Sequence, residues 1–234
     1  MFVLPFSASF VPAGASFTAI RPAGHTAGMP PLLCMPLPLT PALEESAVEL
    51  CAHWIAGHVI RLGLCPYAAK PFTEEKIRYV VSPAVDDESL IEDFFVEGQI
   101  LLDADAEELA TTMLIAPQYN GDIEDFFSLY EWLVDTLESE DETLLENGVQ
   151  PAFFHPDWNF HGLPEDSAIH YEKRAPIPVV NLLRRRDLDS VVEQGLANDV
   201  VVNREIAEHN AAVLEGEGVD AMAAVFMRMV SECT

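Results

Sequence analysis

The chain has 234 residues, half of them apolar, and sets 39 Asp and Glu against 12 Lys and Arg for a net charge of −27. The apolar content excludes global disorder, and the acidic balance argues against nucleic acid and anionic membrane surfaces, both of which select a basic face. No stretch approaches the roughly 18 apolar residues of a membrane span, and the four cysteines Cys34, Cys51, Cys65 and Cys233 include no CxxC and no zinc spacing.

Residues 1–40 contain no acid and a single base, Arg21, and are rich in Pro, Ala, Ser, Thr and Phe. That is the composition of an organelle-import leader. The text MFVLPFSASFVPAG resembles the leaders of algae with secondary plastids. A plastid is the expected address and a mitochondrion the alternative, because mitochondrial import favours several Arg on an amphipathic helix. Residues 41–234 are expected to form one domain, roughly 190 residues being enough for a full core.

Thr40-Pro41 followed by Glu44 and Glu45 is a helix start, with a capping hydroxyl, proline in the first turn and acids near the positive end of the dipole. Val48, Cys51, Ile55, Val59 and Leu62 recur at helical spacing, and Gly63 ends the helix. Ile77–Val81 is a strand stopped by Ser82-Pro83. Asp86 and Asp87 open a helix carrying Ile91, Phe94, Phe95, Leu101 and Leu102 on one face. Thr111–Ala116 is a strand stopped by Pro117, and Asn120-Gly121 turns the chain. Asp122 caps a helix with Phe126, Tyr130, Leu133 and Leu137. An acidic connection over residues 138–146 leads to a strand, Gln150–Phe154, stopped by His155-Pro156. Pro178–Leu183 reads as a fourth strand, and helices follow over Asp187–Gln194, Val200–Leu214 and Val219–Val230.

Proline cannot donate to a ladder, so it terminates each of the first three strands. Helices between strands suggest crossovers and a shared strand-end edge, where α/β sheets bind ligands. Ser82, Gln118 and His155 are expected on that edge. The predicted class is α/β (or α+β): a central sheet of about four strands flanked by helices, with a helical C-terminus. A ferredoxin-like antiparallel sheet is the rival arrangement.

Nine of the bases fall in two windows, Arg61, Lys70, Lys76 and Arg78, then Lys173, Arg174, Arg184, Arg185 and Arg186. In so acidic a chain, clustered cations point to a site for an anionic small molecule. Arg78, Arg174 and Arg184 are the candidate anion clamps, because a planar guanidinium matches carboxylate or phosphate. His155, oriented by Asp157, is the candidate proton carrier. Cys65 leaves a helix through Gly63 and Pro66 and is either a wall residue or a nucleophile. The expectation is that Arg78, His155, Arg174 and Arg184 face one cleft. His155, Asp157 and His161 have metal-ligand chemistry but no metal-motif spacing, so no metal is assigned. P-loop, GxGxxG and GxSxG motifs are absent, and no cofactor is named.

These segments resemble the DUF1415 family. The matching text is Trp54…Gly63-Leu-Cys-Pro-Tyr67, Ile77-Arg-Tyr-Val-Val-Ser82, Phe154-His-Pro-Asp157, and Arg174-x-Pro-x-Pro178 followed by Leu182-Leu-Arg184. The family typically reads Asn where this chain has Lys173, and often His where it has Asn181. The resemblance sets Cys65, Arg78, His155, Asp157, Arg174 and Arg184 above the surrounding sequence and implies no activity. Two functions are compatible with these readings. One is an enzyme or binding domain for an anionic metabolite; the other is a non-catalytic organelle assembly protein that docks a basic protein partner on its acidic surface.

Overall fold

The computed structural model describes residues 39–138, 148–196 and 202–233. The leader, most of the acidic connection and the start of the Val200–Leu214 helix lie outside those residues. Four strands, β1 (Ile77–Val81), β2 (Thr111–Ile115), β3 (Val149–Phe154) and β4 (Val179–Arg184), form one sheet in the order β1-β2-β4-β3. β1 and β2 are parallel, and β4 is antiparallel to both of its neighbours. The three proline-terminated strands therefore run in one direction and end at one edge, as the sequence pattern suggests. β4 runs against them, so the sheet is mixed rather than ferredoxin-like or fully parallel.

Helices α3 (Asp87–Asp103) and α4 (Ile123–Glu138) make the β1–β2 and β2–β3 crossovers and cover one face. That core contains Phe94, Leu101, Phe126, Leu133, Phe153 and Leu182. The other face is covered by α1 (Pro41–Trp54) and by α7 (Val219–Glu232), the last helix, which packs beside it. α2 (Ala69–Thr73), α5 (Arg185–Leu196) and α6 (Val202–Glu217) complete the set. All five residues of β2 are buried, which fits a strand covered on both faces. Each fully buried large side chain contributes about 1.5–3 kcal/mol of transfer free energy.

The expected caps are present. Thr40 Oγ1 accepts from Leu43 N, Asp86 Oδ1 from Ser89 N, and Asp122 Oδ1 from Glu124 N and Asp125 N. The first helix departs from expectation: beyond Trp54 it widens into a π-helical turn, Ile55–Ile60, before Gly63 closes it at φ +66°. That positive φ is what glycine permits. A single 3₁₀ turn, Ala168–Glu172, also forms where the sequence reads as loop.

Alternation places Arg78 with Val80 and Ser82, toward α3. Its guanidinium donates to both oxygens of Glu97, at 2.8 and 3.2 Å, and Glu97 is buried. Arg78 is thus a structural partner for a carboxylate that otherwise lacks solvation. Arg78→Gln is expected to lower stability by about 1–2 kcal/mol, less than for a fully buried pair because Arg78 remains half open to water. Urea unfolding measures this, and an unchanged midpoint means the pair contributes nothing net.

Candidate functional site

A cavity of about 260 Å³ lies between the sheet and the end of the first helix. Its apolar wall includes Trp54, Ile55 and Val59 from α1 and the π turn, Met113 and Phe154 from the sheet, and Leu64. Exposed Tyr67 forms part of its rim. Ile77 and Thr111, the first residues of β1 and β2, also line it, as does Leu183 near the end of β4. The cavity therefore extends toward the edge where the three like-directed strands begin. The sequence reading looked to the opposite edge. Ligand sites sit at strand C-termini when all strands are parallel, and here β4 and the segment 64–71 close a space elsewhere.

Cys65, Glu172, Lys173 and Asn210 are among the polar residues that line this cavity, with Thr111, Asn181, Arg184 and Asp187. Their main chain is tied down closely. His58 Nε2–H donates to Tyr171 O at 2.8 Å and Trp54 Nε1–H to Arg174 O at 3.1 Å, so the first helix holds both flanks of Glu172-Lys173. His155 N–H donates to Lys173 O at 3.2 Å from the end of β3. The Lys173 side chain is 6% exposed, and its Nζ lies 5.0 Å from the centre of the Phe154 ring. Burial lowers the Lys173 pKa, against the opposing pull of Glu172 and Cys65.

Asn210 Nδ2–H donates to Leu64 O and to Glu172 Oε1, each at 3.1 Å. Its Oδ1 is buried and has no hydrogen-bond partner among the described residues. Burial raises the Glu172 pKa despite Lys173 and Asn210. It also raises that of Cys65, although backbone amides of Tyr67 and Ala68 and the Lys173 charge oppose it. At Cys65 burial is the largest cause, and the amides of the turn that follows act the other way.

The six residues singled out from the sequence do not all line this cavity. Cys65 and Arg184 line the cavity, while Arg78, His155, Asp157 and Arg174 are not among its lining residues. Arg184 donates from Nε and Nη2 to Leu109 O and from Nη2 to Ala104 O, closing the end of α3. Arg174 Nε–H donates to Trp158 O at 2.9 Å, and its guanidinium lies over the Tyr171 ring. The His155 ring is buried against Phe126, and its Nδ1 accepts from the Asp157 backbone N–H at 3.2 Å. Asp157 thus orients His155 through its amide. Burial lowers the His155 pKa, against Asp157 and Asp122.

Sequence reasoning missed Glu172 and Asn210. Lys173 was noticed only as one cation in a cluster. Lys173 and Asn181 both line the cavity. No group of three or more His, Cys, Asp and Glu side chains suited to a metal ion occurs among the described residues. No described helix is long and apolar enough to cross a membrane.

The fold and site define a mixed α/β protein with a mostly apolar pocket and a compact polar end. The chain belongs to the DUF1415 family, described as "Protein of unknown function (DUF1415)", whose model matches residues 46–224. Comparison with curated proteins gives no match. Comparison with solved structures gives none either.

His58 provides a test of how the pocket wall is held. It is fully buried, and burial lowers its pKa to about 4. The unfolded chain, with a His pKa near 6.5, then binds the extra proton more readily, so stability falls as pH drops from about 6.5 toward 4. Between pH 7 and pH 5 His58 is expected to account for about 2 kcal/mol of that loss. Urea unfolding of the wild type and of His58→Gln at both pH values measures it, and an equal slope in the two proteins rejects the assignment.

Proposed function

We propose that this protein binds a compact, mostly apolar acid or carbonyl compound whose oxygen end meets Lys173. The observation that carries this reading is a lysine side chain buried in an apolar cavity. Small-molecule sites combine apolar walls with a few placed polar groups, and at about 260 Å³ this one is slightly smaller than their usual range. The anionic-ligand idea is kept in altered form. The cation that supports this reading is Lys173, which is buried and lines the cavity; Arg78 and Arg174 bind Glu97 and Trp158 O outside its lining, and Arg184 binds the carbonyls after α3.

Hexanoate, hexanal and hexan-1-ol, compared by thermal shift and calorimetry, test the proposal. A charge-assisted hydrogen bond contributes about 1.5–3 kcal/mol, so hexanoate is expected to bind roughly 10- to 150-fold more tightly than hexanol. Lys173→Met is expected to remove that preference while keeping the fold, since an apolar residue of similar volume replaces a buried charge at little cost. Absence of binding by all three ligands, or an unchanged preference in Lys173→Met, rejects the reading.

The plastid address belongs to the same proposal. It is supported by the acid-free composition of residues 1–40. N-terminal sequencing of protein isolated from its source is expected to give a mature terminus between residues 10 and 45. Intact Met1 in the mature pool rejects it.

A further inference from the structure

Resting on that pocket reading, the geometry points to Lys173 as an imine-forming lysine: its amine attacks the carbonyl carbon of a small aldehyde or ketone in the cavity, and Glu172 is the acid that lets water leave. The steps balance without an oxidant or reductant. The Nζ lone pair forms a bond to the carbonyl carbon, and one amine proton moves to the carbonyl oxygen, giving a carbinolamine. The Glu172 carboxyl protonates that hydroxyl, the C–O bond breaks, and one water departs. The remaining N–H proton returns to the Glu172 carboxylate, leaving a neutral imine and restoring the acid. Water reverses the sequence.

Three features of the cavity fit this chemistry. Lys173 and Glu172 both line it, on a main chain fixed by His58, Trp54 and the end of β3. Asn210 is 2% exposed and carries an acceptor, Oδ1, with no donor among the described residues. A carbinolamine hydroxyl supplies the missing donor, and Asn210 Nδ2 already orients Glu172 through Oε1. The third feature is the apolar wall, since desolvation in an apolar pocket is one route by which a lysine becomes a nucleophile. Burial lowers the Lys173 pKa and raises that of Glu172, toward the amine and the carboxylic acid that the two steps use. Cys65 is the competing nucleophile, and burial holds its thiol in the protonated, less reactive form.

The chain has three lysines, Lys70, Lys76 and Lys173, so the other two are internal controls. Lys70 is exposed, and Lys76 is paired with Glu74 at 2.7 Å, which raises its pKa. The experiment incubates the full chain with hexanal and sodium cyanoborohydride at neutral pH and maps the reduced adduct by peptide mass spectrometry. A positioned general acid contributes about 100-fold or more, so Lys173, beside Glu172, is expected to be labelled about tenfold or more faster than either control. Glu172→Gln is expected to slow that labelling at least about tenfold, and an unchanged rate removes Glu172 from the mechanism. Label on Lys70 and Lys76 with Lys173 untouched, while hexanal still raises the melting temperature, overturns the imine and leaves the pocket reading standing. Neither label at Lys173 nor any thermal shift overturns both.

Discussion

The cavity depends on how the first helix grips residues 171–174. His58 and Trp54 each donate one hydrogen bond, to Tyr171 O and Arg174 O, and β3 supplies a third through His155 N–H to Lys173 O. A lysine ordinarily carries its charge out to water on a flexible stem. Here the backbone on both sides of Lys173 is tied to helix or sheet, and its side chain occupies the space between them. The π-helical turn that follows Trp54 presents both His58 and the apolar residues Ile55 and Val59 from one short stretch. Such widened turns recur at functional sites.

Much of the sheet was legible because proline and alternation are local signals. The prolines after Ser82, Ala116 and His155 mark the ends of β1, β2 and β3, and the fourth strand falls within a residue of its predicted limits. The direction of β4 was not legible, since it depends on how the loop from His155 to Pro178 returns to the sheet. That direction decides the geometry. β4 starts opposite Phe154 and ends opposite Val149, and five residues of strand span about 17 Å. Arg184 is thereby carried to the edge away from His155. The π turn, α2 and the 3₁₀ turn left no periodic trace, being too short to repeat one.

The site is harder to read than the fold because a cluster of cations in sequence does not fix where each side chain goes. A guanidinium presents five donors in a rigid fork and is suited to collecting carbonyls and carboxylates during folding. Arg78, Arg174 and Arg184 do this in three separate places. Lysine has one nitrogen and a pKa that burial shifts readily. In the same basic window, Lys173 and Arg184 both line the cavity, and Arg184 is committed to the carbonyls after α3. Asn210 reaches the site from a helix more than a hundred residues after Leu64, whose carbonyl it binds, and no local pattern signals such a contact.

The protonation directions at the cavity agree with one another. Burial disfavours charge on Cys65, Glu172 and Lys173 alike. The chain's net charge of −27 opposes an anion's approach through the long-range field, so an acid is held by its contact with Lys173 rather than drawn in from a distance. An uncharged aldehyde or ketone meets no such barrier and loses less solvation on entering apolar walls. Its carbonyl then finds a nucleophile, an acid and a vacant acceptor within one compact polar end. The same lysine thus meets both ligand chemistries: as a cation it holds the oxygens of an acid, and the fraction that burial makes neutral attacks a carbonyl.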